Sequence, residues 1–466
     1  MKLKNILYIF MLIPCLVACI EDGVTTAPGN RPTFSVDTLD MGTVFSGQGT
    51  PTASFKVFNP HTKSIIISDI SVIDDNDNLL RLNVDGIAGH SFRDVEIRGG
   101  DSIFIFVDAN YPDLNSDNPI NYTHHISFLT NGSRQSIPVT ATALDAVRLD
   151  GALITADTRF DSPRPYIIYD SLYVAPDVTL TLAAGTKLRF HDGASLVVDG
   201  SLKALGAPGN EIEMTGDRMG TVAGRIDYEI MSGQWEGIYF SPKSKGNHLE
   251  YASIRNTTWG TVIDSSVGDE NTPALSMLNC QLRNSKGYVL EAVNSNIVAL
   301  GCELAEASMG ILALEGGTAT FTNCTFANYY LFSAIGGPAI QFFPYSTEGA
   351  DAPADGILPT ASFNNCIIYG LGTSLSHNDL DDTSIYFNRC LFRNNGMDDD
   401  HFIECLWDTD PAYNTVREEY HFDYRVKPES PAIGHALSEL MPAVLVNDRY
   451  GKAFRNTLGA YGPGEE

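Results

Sequence analysis

Leu249-Glu250-Tyr251-Ala252-Ser253-Ile254-Arg255-Asn256 returns as Met277-Leu278-Asn279-Cys280-Gln281-Leu282-Arg283-Asn284, then as Val298-Ala299-Leu300-Gly301-Cys302-Glu303-Leu304. It returns again as Phe321-Thr322-Asn323-Cys324-Thr325-Phe326-Ala327-Asn328, as Phe363-Asn364-Asn365-Cys366-Ile367-Ile368 and as Phe387-Asn388-Arg389-Cys390-Leu391-Phe392-Arg393-Asn394. Aligned on the central Ala or Cys, the intervals are 28, 22, 22, 42 and 24 residues. A period this short, with alternating apolar positions and turn residues, leaves no room for a helix pair and suits one turn of a solenoid of parallel strands. Successive turns then lie about 4.8 Å apart and stack equivalent side chains into columns. The central position must be apolar and compact, which Ala252 and the cysteines satisfy.

Four residues after the centre stand Asn256, Asn284, Asn328 and Asn394, with Glu306 and Gly370 as exceptions. Asparagine tolerates left-handed backbone and bonds turn amides, so these side chains are expected to bond amide to amide from coil to coil. The pattern resembles the right-handed parallel β-helix of the pectate-lyase-like superfamily, whose coils carry an inward column of small residues and an Asn ladder at one turn. Cys280, Cys302, Cys324, Cys366 and Cys390 share one phase of the repeat, so buried free thiols are expected rather than disulfides, whose geometry is narrow. Of the eight cysteines, Cys15 and Cys19 lie in the N-terminal hydrophobic segment, and Cys405 is the sixth of the remainder.

The rest of the chain divides around this core. Residues 1–18 read as a leader, with Lys2 and Lys4 before an apolar run too short to span a bilayer. Leu16-Val17-Ala18-Cys19 resembles the lipobox of bacterial lipoproteins, which implies cleavage before Cys19 and diacylglycerol on its thiol. Glu21-Asp22 resembles the signal that sends some lipoproteins to the outer face of the outer membrane. Residues 19–31 read as a tether. Residues 32–145 alternate short strand patterns with turns such as Asn59-Pro60-His61 and Asn131-Gly132, as a β-sandwich does. Leu39-Asp40-Met41-Gly42-Thr43-Val44, Phe55-Lys56-Val57-Phe58-Asn59 and the closing Ile137-Pro138-Val139-Thr140-Ala141-Thr142-Ala143 resemble the immunoglobulin-like domains of the spindle and cilia protein type. That resemblance implies a spacer or adhesion unit.

Residues 146–171 are expected to be a linker or cap and residues 172–409 the solenoid. The passage from Tyr329 to Pro359 must hold either an extra coil or a loop leaving the tube. Residues 410–466 resemble the C-terminal segment of choice-of-anchor Q β-helix proteins, and should cover the apolar bore and unpaired edges at the solenoid's end.

With 30 basic against 57 acidic residues the net charge is −27, which speaks against nucleic acid and against anionic partners held by broad electrostatics. Acid–base cleavage of a polysaccharide needs convergent carboxylates or a carboxylate set with a basic residue. The acids Asp264, Asp269-Glu270, Asp381-Asp382 and Asp398 to Asp400 fall in loops of unrelated phase. Arg255, Arg283 and Arg393 precede the Asn rungs and read as a stripe on a solvated turn face. Asp398, Asp399 and Asp400 with His401 are the candidates for calcium, set against a plain solvated loop. Trp259, between Thr258 and Gly260, is the aromatic expected at the surface in a turn, where it can stack on a sugar. The expectation is an all-β, lipid-anchored protein at the outer membrane, whose non-catalytic β-helix binds a glycan or protein ligand through Trp259 and the arginines. The alternatives are a polysaccharide lyase or glycoside hydrolase acting on uronate-rich glycans, and a structural spacer.

Overall fold

The computed structural model describes residues 23–75, 77–222, 226–266, 272–346, 356–376 and 379–463; Cys19 and the Asp269-Glu270 pair lie outside them. The chain is nearly all β, with 51% strand and 2% helix, and divides into two units that meet between Asp145 and Ala146.

The first unit has two sheets. One runs in the order Thr33–Phe34, Ala53–Phe58, Ser102–Ala109, Leu80–Val84, Ile87–Gly89, and the other in the order Leu39–Phe45, Ser133–Leu144, Ile120–Thr130, Ile65–Ile73, Ser91–Phe92. Inward positions alternate along each strand, as at Ile103, Ile105 and Val107 or Val139, Ala141 and Ala143, and both sheets bury them in one core. Phe55 and Phe128 meet edge to face across it at 6.3 Å.

The second unit is a parallel β-helix with three lateral faces. In one regular coil, Leu275–Leu278 lies on the first face, Gln281–Ser285 on the second and Tyr288–Val293 on the third. The second and third faces join in one sheet of sixteen strands because Tyr166–Val174 bends at Asp170 (φ 61°) and pairs with Lys187–Phe190 through its first half and Ser195–Val198 through its second. The first face is a separate sheet of ten strands.

The bore accounts for the recurring phrase. Leu249, Met277, Ala299, Phe321, Phe363, Phe387 and Phe402 pair in register as one inward column. Its last four rings stack at 5.1, 4.6 and 5.1 Å. All six cysteines of the described chain are free. Cys405 joins the thiol column too, because Leu391 bridges Leu406 beside it. The thiols donate to carbonyls of preceding coils, as Cys280 does to Leu249 and Cys324 to Ala299, and burial pushes them all upward in pKa.

Three expectations need correction, and one open alternative is decided. The solenoid begins before Leu172: Val147–Ile154 already pairs in parallel with Tyr166–Val174, and its polar corner at Asp150-Gly151 (Gly151 φ 54°) hides the alternation. The amide ladder is displaced. Asn256 donates to the carbonyls of Tyr228, Glu229 and Met231, and Asn328 to that of Ala307. The direct amide-to-amide bonds join Asn365 to Asn323 at 3.1 Å and Asn388 to Asn364 at 2.8 Å, across the corner just before the inward cysteines. That corner holds Tyr251, Asn279, Gly301, Asn323, Asn365, Arg389 and Glu404 in left-handed backbone, φ 46–62°. The passage after Cys324 is a coil with lengthened turns, since Ile340–Phe343 pairs with Gly310–Glu315.

Residues 410–463 do not cap the end of the tube. Trp407 does, packed 4.7 Å from Phe392 and 4.9 Å from Phe402. The closing segment runs along the second face instead. Its Tyr413, Tyr424, Ala432, Leu458 and Tyr461 bury the outward-pointing Ala305, Ala327, Ile367 and Leu391, while Leu445 and Phe454 cover Leu278 and Leu300. Alternation in a half-buried strand makes outward positions polar; these four are apolar because the cover lies on them.

Candidate functional site

The expected stripe of arginines is not a solvated face. Arg255 pairs in register with Arg283, but rungs at Ala305, Ala327 and Tyr369 intervene before the coil of Arg393. Arg283 lies under the closing segment: its guanidinium forks on Glu303, donates to Phe422 O at 3.1 Å and sits 5.2 Å from the Tyr424 ring. Arg255 pairs with Glu229 at 3.0 Å, and the exposed Arg393 donates to Gly370 O. Trp259 is in a strand, Thr257–Asp264, rather than a turn, half-buried with its indole N–H on Glu236 at 2.6 Å.

The acids are equally dispersed. Asp264 accepts the Tyr239 hydroxyl at 2.7 Å. Asp398 accepts from the Cys405 amide and the Trp407 indole, and Asp399 from the amides of His401 and Phe402. These carboxylates therefore tie down the turn that carries Trp407. Among the described residues no three His, Cys, Asp or Glu side chains gather to hold a metal ion.

Two carboxylates do converge, on the second face. Glu303 accepts from Arg283 and from the Tyr461 hydroxyl; Glu306 accepts from the Tyr424 hydroxyl and, at 3.0 Å, from the Tyr329 amide. Glu303 is 0% and Glu306 2% exposed. Burial pushes Glu306 up to about 7 against the stabilising pull of Tyr424, the Tyr329 amide and Arg283. Placed beneath the closing segment, this cluster is out of reach of a polymer.

An open site lies one corner away, where the second face turns into the third. The long excursion between Ile212–Gly216 and Trp235–Phe240 forms a small hairpin, Thr221–Val222 with Ile226–Asp227, and a 3-10 turn, Tyr228–Ile230. Asp227 caps that turn by accepting the Glu229 amide. Three carbonyls of the excursion are gripped by Asn256, and Gln234 donates to those of Tyr228 and Met231. Four coils later, Tyr330 closes onto this wall through a 2.6 Å bond between its hydroxyl and that of Ser232. Asn328 accepts the Tyr330 amide, and Arg417 of the closing segment donates to the carbonyls of Tyr329 and Tyr330.

Between these walls opens a cleft of about 590 Å³, lined by Arg218, Tyr228, Ser232, Lys286, Tyr330 and Phe332 among others. The Arg218 guanidinium lies 6.0 Å from the Tyr228 ring. The methylenes of Lys286 lie against Gly233, where a Cβ would fall 2.2 Å from Lys286 Cε. Among the described residues the lining offers ring faces, hydroxyls and two cations, and no carboxylate. None of Trp259, Arg255, Arg283 or Arg393 belongs to it. The signals that could have found it are the widened spacing before the first phrase and the run Tyr329-Tyr330-Leu331-Phe332 at the same corner.

No protein-family model and no curated protein matches the chain. Among solved structures it is similar to a protein of unknown function from Porphyromonas gingivalis W83, at 20% identity over 25% of this chain and 49% of that one, with a TM-score of 0.20. It is similar to a family 123 glycoside hydrolase from Clostridium perfringens at 11% identity, over 24% of this chain and 23% of that one, with a TM-score of 0.18. The catalytic unit of a thermostable GH87 alpha-1,3-glucanase from Streptomyces thermodiastaticus strain HF3-3 shares 12% identity over 70% of this chain and 89% of that one, at a TM-score of 0.17. At these TM-scores none of the three informs the activity of this chain.

Proposed function

We propose that the β-helix is a non-catalytic binding module that takes a glycan in the corner cleft, and that the chain is displayed at the outer membrane by a lipid on Cys19. In this reading the N-terminal sandwich, which resembles immunoglobulin-like modules, serves as a spacer, and neither calcium nor another cofactor takes part. The observation that carries the reading is the make-up of the cleft. Tyr228 and Phe332 supply apolar ring faces on which a sugar stacks, and Ser232, Arg218 and Lys286 supply hydrogen-bond donors. Hydrolysis by a carboxylate pair needs two acids about 5–10 Å apart on either side of the bond, and the described lining of the cleft has none. The paired acids, Glu303 and Glu306, lie on the second face and not in the cleft, where Arg283, Tyr461, Tyr424 and the Tyr329 amide occupy them.

The test is a glycan and host-protein array probed with residues 20–466, repeated with Tyr228→Ala and Lys286→Met. Glycan binding that falls at least tenfold in both variants supports the reading. Release of unsaturated or reducing-end products from a panel of uronate polymers would replace it with the enzyme alternative. Binding of proteins alone would move the ligand class to protein.

A further inference from the structure

The closing segment meets the second face through two kinds of contact. Apolar contacts and neutral hydrogen bonds, such as those of Asn279 to Asn447 O, Asn323 to Thr457 O and Asn365 to Leu437 O, run along most of its length, but the seam around Tyr424 and Tyr461 is ionisable. Two carboxylates and one guanidinium are buried there. Arg283 is spent on Glu303, to which it donates from Nε and Nη2, and Glu303 also takes the Tyr461 hydroxyl. Glu306 is left with two neutral donors, the Tyr424 hydroxyl from the closing segment and the Tyr329 amide. A carboxylate without a counter-charge in so buried a place is costly, and protonation is the usual remedy.

The position itself is unusual. Glu306 occupies the corner where Asn256 and Asn284 stand in the two preceding coils, with the same left-handed backbone, φ 62° against 71° and 59°. An asparagine there would be uncharged at every pH. The titratable and charged groups that face Glu306 are Tyr424 from the closing segment, Tyr329 and Tyr330 from the lengthened corner, and Arg283 and Glu303 from adjoining rungs.

We propose that residues 410–463 form a detachable cover over the second face, held shut while Glu306 is protonated and loosened when its carboxyl ionises. The new anion needs water, and its way to water is to part Tyr424 from the rung. With the cover shut, burial holds the Glu306 carboxyl up to about 7; with the cover lifted, it returns to its ordinary value near 4.5. The shut state therefore binds more protons, and shutting weakens as pH rises through that window and levels off above it. Between pH 5 and pH 8 the closing equilibrium drops by about 70-fold.

Hydrogen exchange on the whole mature chain tests this, with rates corrected for intrinsic exchange and the coil strands Lys187–Phe190 and Ile212–Gly216 as an internal reference. Protection of peptides within residues 413–461 should fall by tens of fold from pH 5 to pH 8, against a reference that stays level. Glu306→Gln and Glu306→Asn should flatten the profile to within threefold. A level wild-type profile, or an equal fall in the variants, overturns the proposal. Should both Glu306 variants fold poorly, Tyr424→Phe gives an independent reading. It removes a donor that favours the charged carboxyl, so the midpoint must move to higher pH; an unmoved or lowered midpoint also overturns the proposal.

Discussion

Replacing Phe363 by alanine should unfasten the C-terminal coils and leave the N-terminal coils in place. The Phe363 ring is fully buried. It stacks on Phe321 at 5.1 Å and 8° and on Phe387 at 4.6 Å and 11°, and meets Phe326 and Phe342 edge-on at 5.9 and 6.2 Å. Truncating a buried phenylalanine costs about 3–5 kcal/mol. Ring pairs each contribute about 0.5–1.5 kcal/mol beyond buried area, so the loss of two stacks places this site at the upper end of that range, about 5 kcal/mol.

In a solenoid each coil is held by its neighbours alone, so the loss falls on the short run of coils beyond the gap. The three tryptophans allow the two ends to be read separately. Trp407 sits at the last coil, 4.7 Å from Phe392, and Trp235 stacks at 4.0 Å on Phe190 in the early coils. Urea unfolding is followed by fluorescence in a Trp235→Phe/Trp259→Phe background and in a Trp259→Phe/Trp407→Phe background. Phe363→Ala should shift the Trp407 transition to much lower urea and move the Trp235 transition by less than a quarter as much. Equal shifts of both reporters, or a change under about 1 kcal/mol at Trp407, would refute the stacked column as the source of stability.

Three further outcomes follow from particular contacts. Among the six described thiols of the folded protein a thiol reagent should reach only the half-buried Cys405, slowly because burial pushes its thiol up to about 12, whereas all six react in urea; fast labelling of Cys324 under native conditions would contradict the inward column. Arg283→Met leaves the Glu303 carboxylate buried without its partner and should destabilise the second unit by about 3–5 kcal/mol, much of which Arg283→Met/Glu303→Leu recovers in a double-mutant cycle by denaturant unfolding. Gly233→Ala places a Cβ against Lys286 at a backbone φ of 74°. It should lower Tm by a few degrees, a cost of about 1 kcal/mol or more, and should also abolish glycan binding in the array; unaltered binding would remove Lys286 from the ligand's path.

Much of the fold was legible because it is periodic. The spacing of Cys280, Cys302 and Cys324 is enough to place those residues in one column, since parallel strands repeat side chains at a constant phase. The amide ladder was legible only to within one corner, because both Asn279 and Asn284 are turn residues and the phrase does not say which corner stacks amide on amide. The first coil, from Val147, was concealed by Asp150-Gly151, whose polar bend breaks the alternation. The site was scarcely legible. Arg255, Arg283 and Trp259 have the residue types of a ligand-binding face, yet their partners, Glu229, Glu303 and Glu236, come from other rungs or from an excursion, and those partners decide whether a side chain is free. The apolar outward residues Ala305, Ala327 and Ile367 were a readable sign that something covers the second face.

The order of amino acids by itself determined the coil: which side chains point into the bore, how often the chain turns, and that thiols and phenyl rings line up along the axis. Tertiary structure alone decided which outer surface stays open. Inward packing depends on a short-range repeat, whereas the covering of the second face joins Tyr424 and Tyr461 to Glu306 and Glu303 across more than a hundred residues, and no local pattern encodes where so distant a segment comes to rest.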